Sequence, residues 1–195
     1  MTATWQDLHR PEGKPSTPVE IFQHEWEFEQ LLQLYRRHDP HKVLEIGTFH
    51  GGSLYHFLRE APTNAVVVSV DSYATGVDNR HLYPRWTPDD VDLYVIAGDS
   101  HDQNVIGQVT AHAFYDFVFI DAGHLYHEVA TDWRNYKELV EAGGIVALHD
   151  IVKHPSHPEI EVDQLWDTIR RSGYITQEYV CSPDQEWGGI GVVYL

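Results

Sequence analysis

The chain of 195 residues contains a single cysteine, Cys181, so it can form no internal disulfide and reads as an intracellular protein. Its apolar runs are short. AVVVSV and FVFI fall far below the roughly 20 residues that a membrane-spanning helix requires. No apolar run follows the basic residues of MTATWQDLHRPEGKPSTP, so that stretch does not read as a signal peptide. A soluble, cytoplasmic protein is expected. Cations are scarce too: 13 Lys and Arg stand against 30 Asp and Glu, a net charge of −17 with histidine neutral. Such a charge repels phosphate backbones and anionic lipid, and so argues against nucleic acid and membrane surfaces as partners. Internal repeats and low-complexity segments are also missing.

What is present is ordinary for a globular domain, with 42% hydrophobic and 22% charged residues and a length that suits one α/β unit. Residues 1–16 lack periodicity and read as an irregular arm, leaving 17–195 as a single domain. A helical pattern starts at Thr17-Pro18 and runs through Ile21, Trp26, Phe28, Leu31, Leu32 and Leu34 to a stop at Pro40. Beyond it the strand-like runs KVLEI, AVVVSV, LYVIA, FVFI and GIVAL alternate with helix candidates at about 52–60, 103–112, 125–141 and 161–172. The third helix is expected to cap on Gly143-Gly144. YITQEYV and GGIGVVYL follow with only SPDQEW between them, which predicts an antiparallel hairpin. The expected fold is α/β: a doubly wound, Rossmann-like, seven-stranded sheet, mostly parallel, with a C-terminal antiparallel hairpin.

The first strand runs into Ile46-Gly47-Thr48-Phe49-His50-Gly51-Gly52-Ser53 and then a helix. Glycines at such a turn let a ligand approach the backbone at the helix start. The Gly-x-Gly-x-x-Gly spacing of dinucleotide sites is not there, and Glu45 at the strand end would repel a pyrophosphate. A carboxylate there suits a ligand carrying positive charge. Asp71, followed by Ser72, ends the second strand, where an acid can accept from both hydroxyls of a ribose. Asp99, Ser100 and His101 follow the third strand beside the same crevice, where an adenine could sit. The plain alternative is a tight structural turn with a solvated strand-end acid.

Asp121 ends the fourth strand, and His149 and Asp150 end the fifth. Parallel neighbours bring these ends together, so two carboxylates and an imidazole form a candidate divalent-metal site; strand-end caps are the alternative. The chain holds 14 histidines. His124, three residues after Asp121, opens a helix over the same edge and is a candidate proton carrier. His154 and His157 read as solvated. The long segment after Asp71, with Tyr73, His81, Tyr83 and Trp86, is expected to act as a lid or pocket wall, or its aromatics equally to pack the loop onto the domain.

LEIGTFHGGSL, VVSVDSY, IAGDSHD, FVFIDAGHLYHEVATDW and GGIVALHDI, in this order, resemble the class I S-adenosylmethionine-dependent methyltransferases. Within them the sequence is most similar to the branch of macrocin-type sugar O-methyltransferases and cephalosporin-hydroxylase-like proteins. The resemblance spans about residues 20–195. It implies S-adenosylmethionine as cofactor, held by Glu45, Gly47, Thr48, Phe49, Gly51, Gly52, Ser53, Asp71, Ser72, Asp99, Ser100, His101 and Asp121. It also implies a hydroxylated small-molecule acceptor and the possibility of a homo-oligomer. Relatives hold magnesium with acids matching Asp121 and Asp150; His149 departs from an all-oxygen shell and favours a manganese-like ion, or is not a ligand. The histidine of the Asp-x-x-His pattern, here His124, implies a general base working beside Asp121. Readings from other classes are a cofactor-binding member of the fold without methyl transfer, and a dinucleotide-dependent oxidoreductase.

Overall fold

The structure is a computed structural model and describes residues 20–74 and 78–195. The arm at 1–16 and the Thr17-Pro18 cap lie outside the described residues. Helix α1 spans Glu25–His38, with Glu25 and Glu27 in its first turn and Arg36, Arg37 and His38 in its last, as the helix dipole favours. It stops at Asp39, which is left-handed (φ 55°) and donates its N–H to Tyr35 O. Phe28, Leu31, Leu32 and Tyr35 recur at helical spacing and are fully buried, each worth about 1.5–3 kcal/mol of apolar burial. The helix starts later than its apolar pattern predicts. Residues 20–24 are irregular: Ile21 and Gln23 line a cleft, Ile21 also packing against the core, and Trp26 is exposed.

The remaining elements are β1 (Lys42–Ile46), α2 (Gly52–Glu60), β2 (Val66–Asp71), α3 (Tyr83–Trp86), β3 (Asp92–Ala97), α4 (Gln103–Thr110), β4 (Tyr115–Ile120), α5 (Tyr126–Tyr136), a 3₁₀ turn (Lys137–Leu139), β5 (Val140–His149), α6 (Val162–Arg171), β6 (Ile175–Tyr179) and β7 (Ile190–Tyr194). They build one sheet of order β3-β2-β1-β4-β5-β7-β6, in which β7 alone runs antiparallel to its neighbours. The expected seven strands and terminal hairpin are present. Each face of the sheet has its own apolar core, one under α1 and α2, the other under α4, α5 and α6. One expectation fails: Gly143-Gly144 does not cap α5. The helix gives way to the 3₁₀ turn at Lys137, and both glycines lie within β5, tied to Leu195 by backbone bonds.

The chain order reverses between β1 and β4, the point at which open α/β sheets admit ligands. Register places Ile46 beside Ile120, Ile120 beside Leu148, and Asp71 beside Ala97, so the residues that follow these strands share one edge. The glycines of the first turn fit the protein to itself at this edge. A Cβ on Gly47 (φ 91°) would lie 1.9 Å from Asp121 O, and one on Gly52 would lie 1.9 Å from Glu20 O. Gly47→Ala is therefore expected to cost well over ~1 kcal/mol and to lower Tm by more than about 2 °C. Gly107→Ala in α4, where a Cβ meets nothing, is expected to hold or raise Tm; equal melts for the two variants would contradict this account.

Candidate active site

A cleft of about 760 Å³ opens along this edge. One half is lined by the β1–α2 turn (Gly47, Thr48, Phe49, Gly52, Ser53), Asp71 and Ser72 after β2, and Asp99, Ser100 and His101 after β3. The other half holds Gln23, Asp121, His124, His149, Asp150, His154 and Trp187. Of the residues expected to bind cofactor, Glu45 and Gly51 do not line the cleft. Gly51 is the left-handed N-cap of α2, and a Cβ there would strike Trp86. Glu45 lies fully buried beneath the turn, where Oε1 accepts from Ser53 Oγ at 2.5 Å and Oε2 has no hydrogen bond of good geometry among the described residues.

Asp71 braces the turn. Its Oδ2 accepts from the N–H groups of Thr48 (2.9 Å) and Phe49 (2.6 Å), and its Oδ1 from Tyr73 N–H (2.5 Å). These bonds hold Phe49 in its left-handed conformation (φ 47°) and stack its ring on His50. In the described part of the segment after β2, packing onto the domain prevails over a lid. Ser72 lines the cleft, but Tyr83 and Trp86 are buried and pack α3 against α2 through Tyr55. The aromatics there are mainly packing residues.

In the second half the strand ends bring Asp121, His149 and Asp150 together, with Asp150 left-handed at φ 60°. His149 Nδ1 lies 3.3 Å from Asp121 Oδ1 and 3.4 Å from Asp150 Oδ2, while its Nε2 is buried and has no hydrogen-bond partner among the described residues. Burial alone would lower the imidazole, but the two carboxylates outweigh it and push His149 up to about 10. His124 Nε2 lies 3.1 Å from Asp150 Oδ2 and 3.8 Å from Asp121 Oδ1, and the bond to Asp150 raises its pKa. Burial would raise the Asp150 carboxyl, yet bonds from His124 and His149 hold it well below the usual carboxylate range. Donor atoms of Asp121, His124 and Asp150 all lie within 4.8 Å of one another, a spacing that fits a divalent ion. That group contains His124 where the sequence had placed His149, because the His149 ring is wedged beneath the carboxylates.

Three residues of this half were not legible in the sequence. Gln23 Nε2 donates to Asp121 Oδ2 at 2.6 Å; it lay inside what read as a continuous helix, and no local signal marked it. His154, expected to be solvated, is buried, with Nε2 3.0 Å from Asp150 Oδ1 and 3.1 Å from Gly188 N. His157 is exposed, as expected. Trp187 stacks on His24 at 3.8 Å and forms a wall of the cleft. Its signal was an aromatic set among turn residues and followed by two glycines. The loop that carries it is held by the buried Glu27, which accepts from Cys181 N and Gln185 Nε2 through Oε1 and from Gly189 N through Oε2. These bonds offset the cost of burying a carboxylate.

Residues 44–151 match the family model described as a methyltransferase domain, which is over half of the chain, and the protein belongs to that family. No curated protein matches it by sequence. Its fold resembles that of the O-methyltransferase from Bacillus cereus solved with SAH (16% identity, 93% of this chain and 84% of that one, TM-score 0.68). It also resembles TomG from Streptomyces achromogenes, an O-methyltransferase involved in tomaymycin synthesis and solved with SAM (18% identity, 98% and 87%, TM-score 0.67). A methyltransferase from Geobacter sulfurreducens is similar as well (18% identity, 90% and 82%, TM-score 0.59). Among the described residues no helix is long and apolar enough to cross a membrane.

Burial raises the Glu45 carboxyl to about 8, above its ordinary 4.5, despite the bonds from Ser53 and Thr48. The folded chain then keeps a proton that the unfolded chain releases, so this residue's contribution to stability falls as pH rises between those values and stays lost above them. Glu45→Gln is expected to raise Tm more near pH 9 than near pH 5, read by thermal melts. An equal shift at both would show that Glu45 is ionised in the fold.

Proposed function

We propose that the protein is an S-adenosylmethionine-dependent O-methyltransferase whose acceptor is a hydroxylated small molecule of sugar or natural-product type. The observation that carries this reading is the single cleft joining a glycine turn with two flanking acids to a cluster of carboxylates and imidazoles. The relatives solved with SAM and SAH, and the sequence's resemblance to sugar O-methyltransferases, point the same way.

In this reading Gly47, Thr48, Gly52 and Ser53 form the floor beneath the amino-acid end of the cofactor, where the first turn of α2 offers N–H groups without intrahelical acceptors. Glu45 acts through Ser53 from below. Asp71 and Ser72 face the ribose, and Asp99, Ser100 and His101 the adenine. Bound S-adenosylmethionine would supply a methyl group on a sulfonium sulfur, its carbon open to in-line attack by an oxygen with S-adenosylhomocysteine as the leaving group. The remaining task is to deliver a hydroxyl without its proton. His124 Nε2, half exposed in the cleft and held by Asp150, takes that proton, a role worth on the order of 10²–10⁴ in rate. Trp187 offers a flat apolar face against which a ring acceptor can lie, and Gln23 fixes Asp121 toward the same space.

Asp121 and Asp150 have the donor set and spacing to hold a divalent ion, with His149 Nδ1 as a nitrogen neighbour that leaves His124 to act as base. Such an ion would stabilise the charge of the deprotonated hydroxyl.

The test is transfer of labelled methyl from S-adenosylmethionine to a panel of sugars and catechols. Wild type is expected to label at least one, and His124→Ala to bind S-adenosylhomocysteine normally while losing at least about 10²-fold in turnover. Unchanged turnover would remove His124 from the mechanism. For the ion, wild type is expected to take up Mn²⁺ by electron paramagnetic resonance and Asp121→Ala/Asp150→Ala to take up none. Equal uptake would place the ion elsewhere.

A further inference from the structure

Asp132 is a carboxylate that the proposed mechanism does not use. It sits on α5, fully buried, and neither of its oxygens has a hydrogen bond of good geometry among the described residues. Burial raises it to about 6. A buried acid without a cation of its own is costly, so its place in the fold calls for a reason. Its nearest ionisable neighbour is His101, which lines the cleft after β3. His101 Nε2 lies 3.2 Å from Asp132 Oδ1 and 3.2 Å from the carbonyl oxygen of Glu128. Both are acceptors, so this nitrogen carries the ring's proton and donates it inward. The other nitrogen, Nδ1, lies on the opposite side of the ring, 3.8 Å from Oδ1 of the exposed Asp99. The loop itself is braced, since His101 N donates to Asp99 Oδ1 and Tyr136 Oη to Ser100 O.

Resting on the cofactor reading above, we propose that Asp132 is a positioning residue for recognition of the cofactor's base: together with the Glu128 carbonyl it fixes His101 as the Nε2–H tautomer, so that the ring offers the cleft a lone pair at Nδ1. An acceptor at that point is complementary to the exocyclic amino group of adenine. It opposes the carbonyl oxygen that hypoxanthine carries at the same position, where two acceptors would meet. Asp132 touches no ligand; it acts through His101. The pair thereby turns a histidine, whose two nitrogens could serve either way, into a reader of one purine.

The experiment compares S-adenosylhomocysteine with S-inosylhomocysteine by titration calorimetry, alongside the His101 tautomer read from long-range ¹H–¹⁵N spectra at about pH 8 and assigned by the signals lost in His101→Gln. Wild type is expected to be Nε2-protonated and to prefer the adenosyl compound by more than about tenfold. Asp132→Leu is expected to mix the tautomers and bring the preference toward parity. Asp132→Asn, whose amide oxygen can still accept from Nε2, should restore most of it. A His101 protonated at Nδ1 in wild type overturns the inference, and so does an Asp132→Leu protein that keeps both tautomer and preference. The tautomer in the wild-type protein decides even if Asp132→Leu does not fold. A wild type that binds neither compound overturns the cofactor reading instead, and leaves the tautomer to judge this one.

Discussion

Two carboxylates at neighbouring strand ends set the character of this molecule. Asp121 and Asp150 are brought together by the β4–β5 pairing, and charges of one sign that close in a part-buried site repel unless something compensates them. The compensation comes from several elements at once. His149 is wedged between the pair from β5, His124 meets Asp150 from the start of the α5 region, and Gln23 reaches Asp121 from the segment before α1. His154 then closes on Asp150 from the following loop. Three stretches of chain, around residues 23, 121–124 and 149–154, are thereby committed to one corner of the sheet. The histidine-rich composition of an acidic chain has a local meaning here.

The second constraint is backbone proximity at the β1–α2 turn. Gly47 is packed under the Asp121 carbonyl and Gly52 under the Glu20 carbonyl, while Asp71 takes two N–H groups of the same turn. The glycines thus dock the turn against β4 and against the N-terminal segment. The two halves of the cleft are coupled through this contact: what fixes Gly47 also fixes Asp121. In the proposed reaction, a methyl donor in one half and a hydroxyl in the other would need that fixed spacing, because displacement at carbon depends on alignment as much as on reactivity.

The sheet was legible because its information is local. β-branched runs such as VVVSV, punctuated by turn residues and alternating with amphipathic segments, announce parallel strands, and a strand pair without an intervening helix announces a hairpin. Asp71, Asp121, His149, Asp150 and the Asp99–His101 loop could be placed at one edge for the same reason: strand ends in a parallel sheet point one way. What could not be read depended on long-range packing. Ile21 and Gln23 continue a helical apolar pattern, yet the cleft claims them and the helix begins at Glu25. His154 sits in a Pro-rich loop that looks solvated, but Gly188 and Asp150 bury it. Tyr83 and Trp86 could be read either as lid or as packing aromatics, and the fold resolves them as packing beneath the turn. In each case a partner more than twenty residues away, or a bend no local rule predicts, decides the outcome. The swap of His124 for His149 in the candidate ion site has the same origin, since which imidazole faces outward depends on burial at a strand end.

The most direct measurement of the central claim is titration calorimetry of the purified protein with S-adenosylmethionine and, separately, with a nicotinamide dinucleotide. The account predicts saturable one-to-one binding of S-adenosylmethionine, weakened by Asp71→Ala, and no binding of the dinucleotide. Absence of binding by S-adenosylmethionine, or tighter binding of the dinucleotide, would contradict it.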